Sequence, residues 1–286
     1  MSAPSSSRST GPRAWLEAIL RDRTATGGAL LLVFFVLVAV AGPMLVGDPT
    51  ALVGIPLQPP SVAHWLGTTG QGQDVLAQTV VGTRVSLAIG FAATFVSILV
   101  GLTWGSVAGF FGGRMDDVMM RIVDILYGLP YMFVVMILMT WAGRQVVFLF
   151  MGLGLVEWLT MSRIVRGQVI SLKEKEFVEA ARALGANTGR IIVRHILPNT
   201  LSFVIVAATI SIPGYILGEV ALSFLGVGIA EPTASWGNML KQAQSIRVLT
   251  SFSWILAPGY AIFLTVLAFN FLGDGLRDAL DPRKIK

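Results

Sequence analysis

Residues 176–198 read EFVEAARALGANTGRIIVRHILP, a polar helix–turn–helix pattern set between two strongly apolar segments. From about residue 173 to 184 the composition and period are helical. Phe177, Ala180, Ala181 and Leu184 recur at three- and four-residue spacing and share a face, with Glu176, Glu179 and Arg182 off it. Glu179 can pair with Arg182 one turn on. The two alanines leave a low surface, so another protein can come close to the backbone there. Gly185 falls where a helix stop is expected and can take positive φ without steric cost. Asn187 or Thr188 is placed to cap a second short helix. Pro198, which cannot continue a hydrogen-bonded ladder, is expected to start the next segment.

Around this loop the chain is apolar. It has 286 residues, 54% of them hydrophobic and 13% charged, with mean hydropathy +0.74. Soluble domains carry about twice that share of charge. The apolar runs reach about 20 residues, the length of helices crossing a bilayer and too long for barrel strands. The expected fold class is therefore an all-α integral membrane protein. Six transmembrane helices are expected, near 28–46, 85–111, 118–141, 146–165, 201–224 and 252–273.

Charge sets the expected orientation. The net charge of +5 could suggest nucleic acid, but the basic residues follow membrane topology. With the N-terminus inside, all Lys and Arg except Arg84, Arg144, Lys241 and Arg247 fall on the inner side. The positive-inside rule then puts both termini, and the loop at 173–198, in the cytoplasm. The domain organisation expected is a cytoplasmic segment at 1–27, a first membrane helix at 28–46 and an extracytoplasmic segment at 47–84. A transmembrane domain follows at 85–275, and a cytoplasmic tail at 276–286. Arg21 and Arg23 before an apolar run reaching Ala39-Val40-Ala41 resemble a leader, but the run continues to Val46 and reads as a retained span. Residues 1–12, rich in Ser, read as disordered.

Little points to catalysis. There is no cysteine and there are two histidines, His64 and His195, far apart in sequence. No G-x-x-x-x-G-K-[ST] phosphate loop, no H-E-x-x-H and no plausible Ser–His–Asp set occurs. Gly112-Gly113-Arg114 reads as a tight turn and not as a phosphate site. No enzyme activity, bound cofactor or metal is expected of this chain. Three carboxylates fall in or near spans, where charge costs at least about 2.5 kcal/mol and so faces a cavity or a partner. Asp124 is expected to pair with Arg121. Glu157, in mid-span, and Glu219, toward the outer end of span five, are each candidates for a pathway lining or for a buried pair. Pro213-Gly214 and Pro258-Gly259 allow bends that either line a path or are plain packing kinks.

Glu179-Ala180-Ala181, three further residues, Gly185, then Ile196-Leu197-Pro198 resembles the EAA loop of importer-type ABC transporter permeases. His195 departs from the apolar residue many of these carry, an arrangement common in the peptide-permease branch. The likeness extends over roughly 15–283. It includes His64-Trp65-Leu66-Gly67-Thr68, Gly109-Phe110-Phe111-Gly112-Gly113, Leu222-Ser223-Phe224-Leu225-Gly226, Trp236-Gly237-Asn238-Met239-Leu240 and the ending from Asn270-Phe271-Leu272-Gly273-Asp274 to Asp281-Pro282. The chain resembles the C-type permease subunit of dipeptide and oligopeptide importers. Two departures, Thr69 for the usual Asp and Gln73 for the usual Arg, replace an opposite-charge pair together.

The resemblance implies the type I (MetI-like) permease fold and a bacterial cytoplasmic membrane location. It implies half of an ATP-driven path for di- or oligopeptides, with Glu179, Ala180, Ala181, Gly185, Arg190, Leu197 and Pro198 in the loop that couples to the ATPase. The implied partners are a homologous B-type permease, two ABC ATPase subunits (or one dual subunit) holding the ATP and Mg, an extracytoplasmic substrate-binding protein and membrane lipid. The same branch imports nickel and glutathione, which leaves the cargo open. The rival class is a gradient-driven secondary transporter using Glu157 or Glu219.

Overall fold

The computed structural model describes residue 20 and residues 22–280; the Ser-rich stretch 1–12 and most of the tail expected at 276–286 lie outside these. The described residues are mostly helical, with isolated β-bridges in the segment before the second helix and no strand among them. Five helices are long and apolar enough to cross a membrane, and the number of spans reaches six when a bent pair is counted as one. The six-span expectation therefore holds, with shifted boundaries.

Helix α1 (Arg23–Leu45) starts on Asp22, whose carboxylate accepts the Thr24 N–H at 2.8 Å. Helix α2 (Val75–Phe111) starts ten residues earlier than the apolar run suggests, because Asp74 caps it through the Ala77 N–H at 2.9 Å. At 37 residues it is about 55 Å long, more than a bilayer core needs, so its polar first turns extend past the apolar run. Only Gly112, at φ +67°, separates α2 from α3 (Gly113–Tyr127), and the Gly112-Gly113 pair is the tight turn its sequence predicts.

The span expected at 118–141 is not one helix. Helices α3 and α4 (Tyr131–Ala142) meet at 79° across Gly128-Leu129-Pro130. Pro130 lacks the N–H to continue the ladder and pushes Leu129 out of the helical region, which breaks the apolar run. Helix α5 (Val146–Lys173) runs eight residues beyond its expected end. It packs on α2 through small residues. A Cβ on Gly101 would lie 2.6 Å from the Met161 Cβ, and one on Gly109 would lie 2.9 Å from the Arg166 carbonyl. From the other side, Gly154 lies against the Ala93 carbonyl. Glycine at 101, 105 and 109 lets the backbones meet as in membrane small-xxx-small pairs, where packing and not water exclusion drives association.

After the short α6 (Glu176–Ala183), α7 (Thr188–Phe224) is a continuous helix containing a π-helical stretch at Ile192–Ile196. Pro198 lies in the first turn of the α-helical stretch Leu197–Phe224, as the sequence suggests, and the chain enters that stretch from the π-helical turn without a break. The wider turn before it absorbs the missing N–H, and the Asn199 amide donates to the His195 carbonyl at 2.6 Å. Pro213 lies inside α7 without ending it. Helices α8 (Trp236–Leu240) and α9 (Ile246–Ser251) lead to α10 (Ala257–Leu280), where Pro258 sits harmlessly in the first turn. One core cluster joins α1, α2, α7 and α10 around Phe35, Ile216, Trp236 and Phe269, and another joins α2, α4, α5 and α7 around Ile89, Val135, Leu153 and Tyr215.

Candidate coupling loop and the carboxylates of the spans

The loop between α5 and α7 is a built element. Helix α6 ends in a Schellman turn: Ala186 N–H donates to the Ala181 carbonyl and Gly185 N–H to the Arg182 carbonyl, both at 3.0 Å. Gly185 takes φ +79°, the left-handed value that favours glycine, with nothing within 4 Å of an added Cβ. Asn187 caps the next helix by accepting the Arg190 N–H at 2.8 Å.

The structure divides the face that sequence spacing assigned to α6. Val178 and Ala181 point inward, fully or nearly buried against Met161, Val165, Val169, Ile191, Ile196 and Val204. Phe177, Ala180 and Leu184 point outward, and Leu184 is 88% exposed. Of the two alanines, only Ala180 offers a low surface to another chain. Ala181 instead anchors α6 to α5 and α7. Glu176, Glu179, Arg182, Gly185 and Arg190 are exposed, Leu197 is half-buried and Pro198 is exposed beyond the π-helical turn. The Glu179–Arg182 pair expected from spacing is not among the ion pairs of the described residues. The element thus presents an outward apolar strip with a charged rim, rigidly held between two spanning helices.

Ion pairs tie α3 to α5 just above this loop. Asp116, nearly buried, accepts both Arg166 Nε and Nη2 at 2.6 Å, a bidentate pair that the sequence did not single out. Asp124 pairs with Arg163 of α5 at 2.7 Å and not with Arg121, which corrects the spacing argument. The i−3 partner is local, but α3 turns its Asp124 edge to α5. The Arg163 guanidinium also lies 4.4 Å over the Tyr127 ring. Glu157 is half-buried on α5 and has no hydrogen bond or ion pair among the described residues. Glu219 is fully buried. It accepts the Ser235 hydroxyl at 2.7 Å and the Ser223 hydroxyl at 2.9 Å, with one carboxylate oxygen unpartnered. Gly237 passes so close to this carboxylate that a Cβ there would lie 2.8 Å from Oε2. Ser235 is also the cap of α8, so Glu219 ties α7 to the start of α8.

On the opposite side, residues 48–74 form a small folded cap. His64 Nδ1 lies 2.8 Å from Asp74 Oδ2, and Trp254 Nε1 donates to the Thr68 carbonyl at 3.2 Å. Thr69 and Gln73 face each other across a tight turn. Thr69 N–H donates to the Gln73 carbonyl at 2.8 Å, and Gln73 N–H donates to the Thr69 hydroxyl at 3.2 Å. The positions that departed together in sequence therefore hold one turn together without charge. No group of three or more metal-binding side chains is found among the described residues.

The chain resembles known proteins along most of its length. Residues 101–286 match the family model described as binding-protein-dependent transport system inner membrane component. The dipeptide transport system permease protein DppC of Bacillus subtilis (strain 168) is 43% identical over 275 residues, covering 94% of this chain and 85% of that protein. The oligopeptide transport system permease protein OppC of Escherichia coli (strain K12) is 40% identical over 280 residues, covering 96% and 92%. Among solved structures, inward facing conformations of the MetNI methionine ABC transporter align with a TM-score of 0.58 at 19% identity, over 71% of this chain and 97% of that one, a likeness of fold. With a helical membrane fold, a family model over more than half the chain and relatives at this identity, the chain belongs to the binding-protein-dependent transport system inner membrane components, as a multi-pass permease of an ABC importer.

Proposed function

We propose that this permease forms half of the translocation path of an ATP-driven importer of di- or oligopeptides, and that α6 with its flanking turns is the contact through which ATPase subunits move it. The observation that carries this reading is the construction of α6. Val178 and Ala181 lock the helix to α5 and α7, while Phe177, Ala180 and Leu184 project outward beside Gly185. A helix presented to a groove in this way passes a push from its partner straight into two spanning helices. Peptide cargo is the reading supported by relatives whose names specify dipeptide and oligopeptide transport.

The assembly proposed contains a homologous permease, two ATPase subunits or one dual subunit, and an extracytoplasmic binding protein. Both termini and the α6 loop lie in the cytoplasm. ATP and Mg are held by the ATPase subunits, and this chain performs no hydrolysis. ATP binding closes the ATPase dimer, α6 moves with it and the paired permeases open outward to take substrate from the binding protein. Hydrolysis returns them. Each step requires that α6 be bound differently in the two states. The test is a mild-detergent pull-down of tagged protein from its native membrane, with mass spectrometry of the co-purifying chains. A second permease with ATPase subunits supports the reading. Recovery of a folded, monodisperse chain alone overturns it and moves weight to gradient-driven transport.

A further inference from the structure

Helix α5 has 28 residues and is about 42 Å long. A bilayer core needs about 20 of them, and whichever 20 consecutive residues it takes, 154–165 are included. Glu157 therefore lies at hydrocarbon depth in any register, and Arg163 lies nearly two turns on, at the inner edge of the span. Arg163 is partnered there: Asp124 and Tyr127 hold its guanidinium, though the pair is open, with side chains 42% and 62% exposed. Glu157 has no such partner among the described residues. Tyr215 of α7 lies within electrostatic reach of it.

The open face of α5 beside Glu157 is also polar. Thr160 and Gly167 are exposed, one and three turns on from Glu157, and Ser171 continues the line. A Cβ added at Gly167 meets nothing within 4 Å. The open face of the neighbouring α2 is the opposite, with Phe91, Phe95 and Leu99 at four-residue spacing. Helix α2 presents an apolar strip suited to lipid. Helix α5 has such a strip only in its first half, at Val147, Met151 and Leu155, and from Glu157 on it presents a carboxylate, a hydroxyl and bare backbone, which hydrocarbon does not accommodate: an unpaired charge at this depth costs at least about 2.5 kcal/mol. The polar strip must meet water.

We propose that the face of α5 carrying Glu157, Thr160 and Gly167 is this chain's wall of the water-filled path, and that the Glu157 carboxylate there attracts the ammonium group of the passing substrate. The inference rests on the importer reading and adds the residues and the charge preference of the path. A free carboxylate in a narrow aqueous space surrounded by low dielectric concentrates cations. Arg163 of the same helix is engaged with Asp124, so the Glu157 charge is left for a mobile group. A peptide with a free α-amine brings such a group.

The chain contains no cysteine, so a single introduced thiol reports one position. The assembled complex in membranes open on both sides is treated with a thiosulfonate reagent bearing a trimethylammonium group, or with one of similar size bearing a sulfonate. Thr160→Cys and Gly167→Cys are expected to label, and Phe95→Cys to stay unlabelled. Cys introduced at 160 lies one turn from Glu157, so the cationic reagent is expected to react about tenfold faster than the anionic one, from a unit charge about 6 Å away in water. Adding Glu157→Gln is expected to bring that ratio to about one. A dipeptide with a free amine is expected to slow the cationic labelling, and its N-acetylated form to leave it unchanged. Labelling of Thr160→Cys as poor as that of Phe95→Cys, or a ratio near one with Glu157 intact, overturns the inference. ATP-dependent peptide uptake by the same membranes is read separately. Uptake without labelling sinks this inference alone, and labelling with charge preference but no ATP-dependent uptake sinks the importer reading while the polar path stands.

Discussion

Replacing Gly185 separates backbone strain from surface chemistry in the coupling loop. Its φ of +79° costs an L-residue about 1–2 kcal/mol, and nothing lies within 4 Å of an added Cβ, so no clash adds to this. Against a domain stability of about 5–15 kcal/mol, such a loss leaves the chain folded. Gly185→Ala and Gly185→Asp share this strain, which Asp tolerates somewhat better because it visits left-handed backbone more readily. They differ in what they present outward: a methyl group or a carboxylate, on the surface proposed to enter an ATPase groove. An unpaired charge buried in such a contact costs about 3 kcal/mol or more, over a hundredfold in occupancy. Both variants are therefore expected to insert, purify and melt within a few degrees of each other. Gly185→Ala should keep most ATP-dependent uptake in vesicles, while Gly185→Asp should lose uptake and its co-purifying ATPase. Normal uptake by well-expressed Gly185→Asp would refute the reasoning. So would equal loss in both variants, because the backbone and not the surface would then be at fault.

The two alanines of α6 should also behave differently. Ala181→Leu overfills a buried site and should lower stability by about 1–3 kcal/mol, read as detergent thermal stability, whereas Ala180→Leu should leave stability unchanged and lower ATPase co-purification. Asp116→Ala strands Arg166; because that side chain is 34% exposed, the loss should be about 2 kcal/mol, below the roughly 3–5 kcal/mol of a fully buried pair, and Arg166→Met in the same chain should recover part of it. Ser235→Ala removes both the cap of α8 and a donor to Glu219, and should cost about 1–3 kcal/mol in a thermal unfolding assay, with proteolysis expected first near α8.

What was readable in the chain was periodic or special. Apolar runs of bilayer length announced the spans, because lipid demands about 20 consecutive apolar residues whatever the fold around them. The Gly185 stop and the Asn187 cap were legible because each satisfies its own backbone locally, and the structure has both. Hydropathy could not see the break at Pro130, since the residues next to it, 125–129 and 131–142, are largely apolar on both sides; the proline itself was the unused signal. Nor could it see the first turns of α2, which are held by a polar cap and not by apolar residues.

The side-chain assignments depended on tertiary structure. Spacing along α6 grouped Ala180 with Ala181, but residues one apart diverge by about 100° around a helix, and only the position of α5 and α7 decides which one is covered. In the same way Asp124 had a partner available one turn away and took Arg163 across the bundle, and Glu219 found its serines in α7 and at the start of α8. A sequence records which groups must be satisfied. The packing of helices distant in the chain decides which groups satisfy them, and which, like the half-buried Glu157, are left without a partner among the described residues.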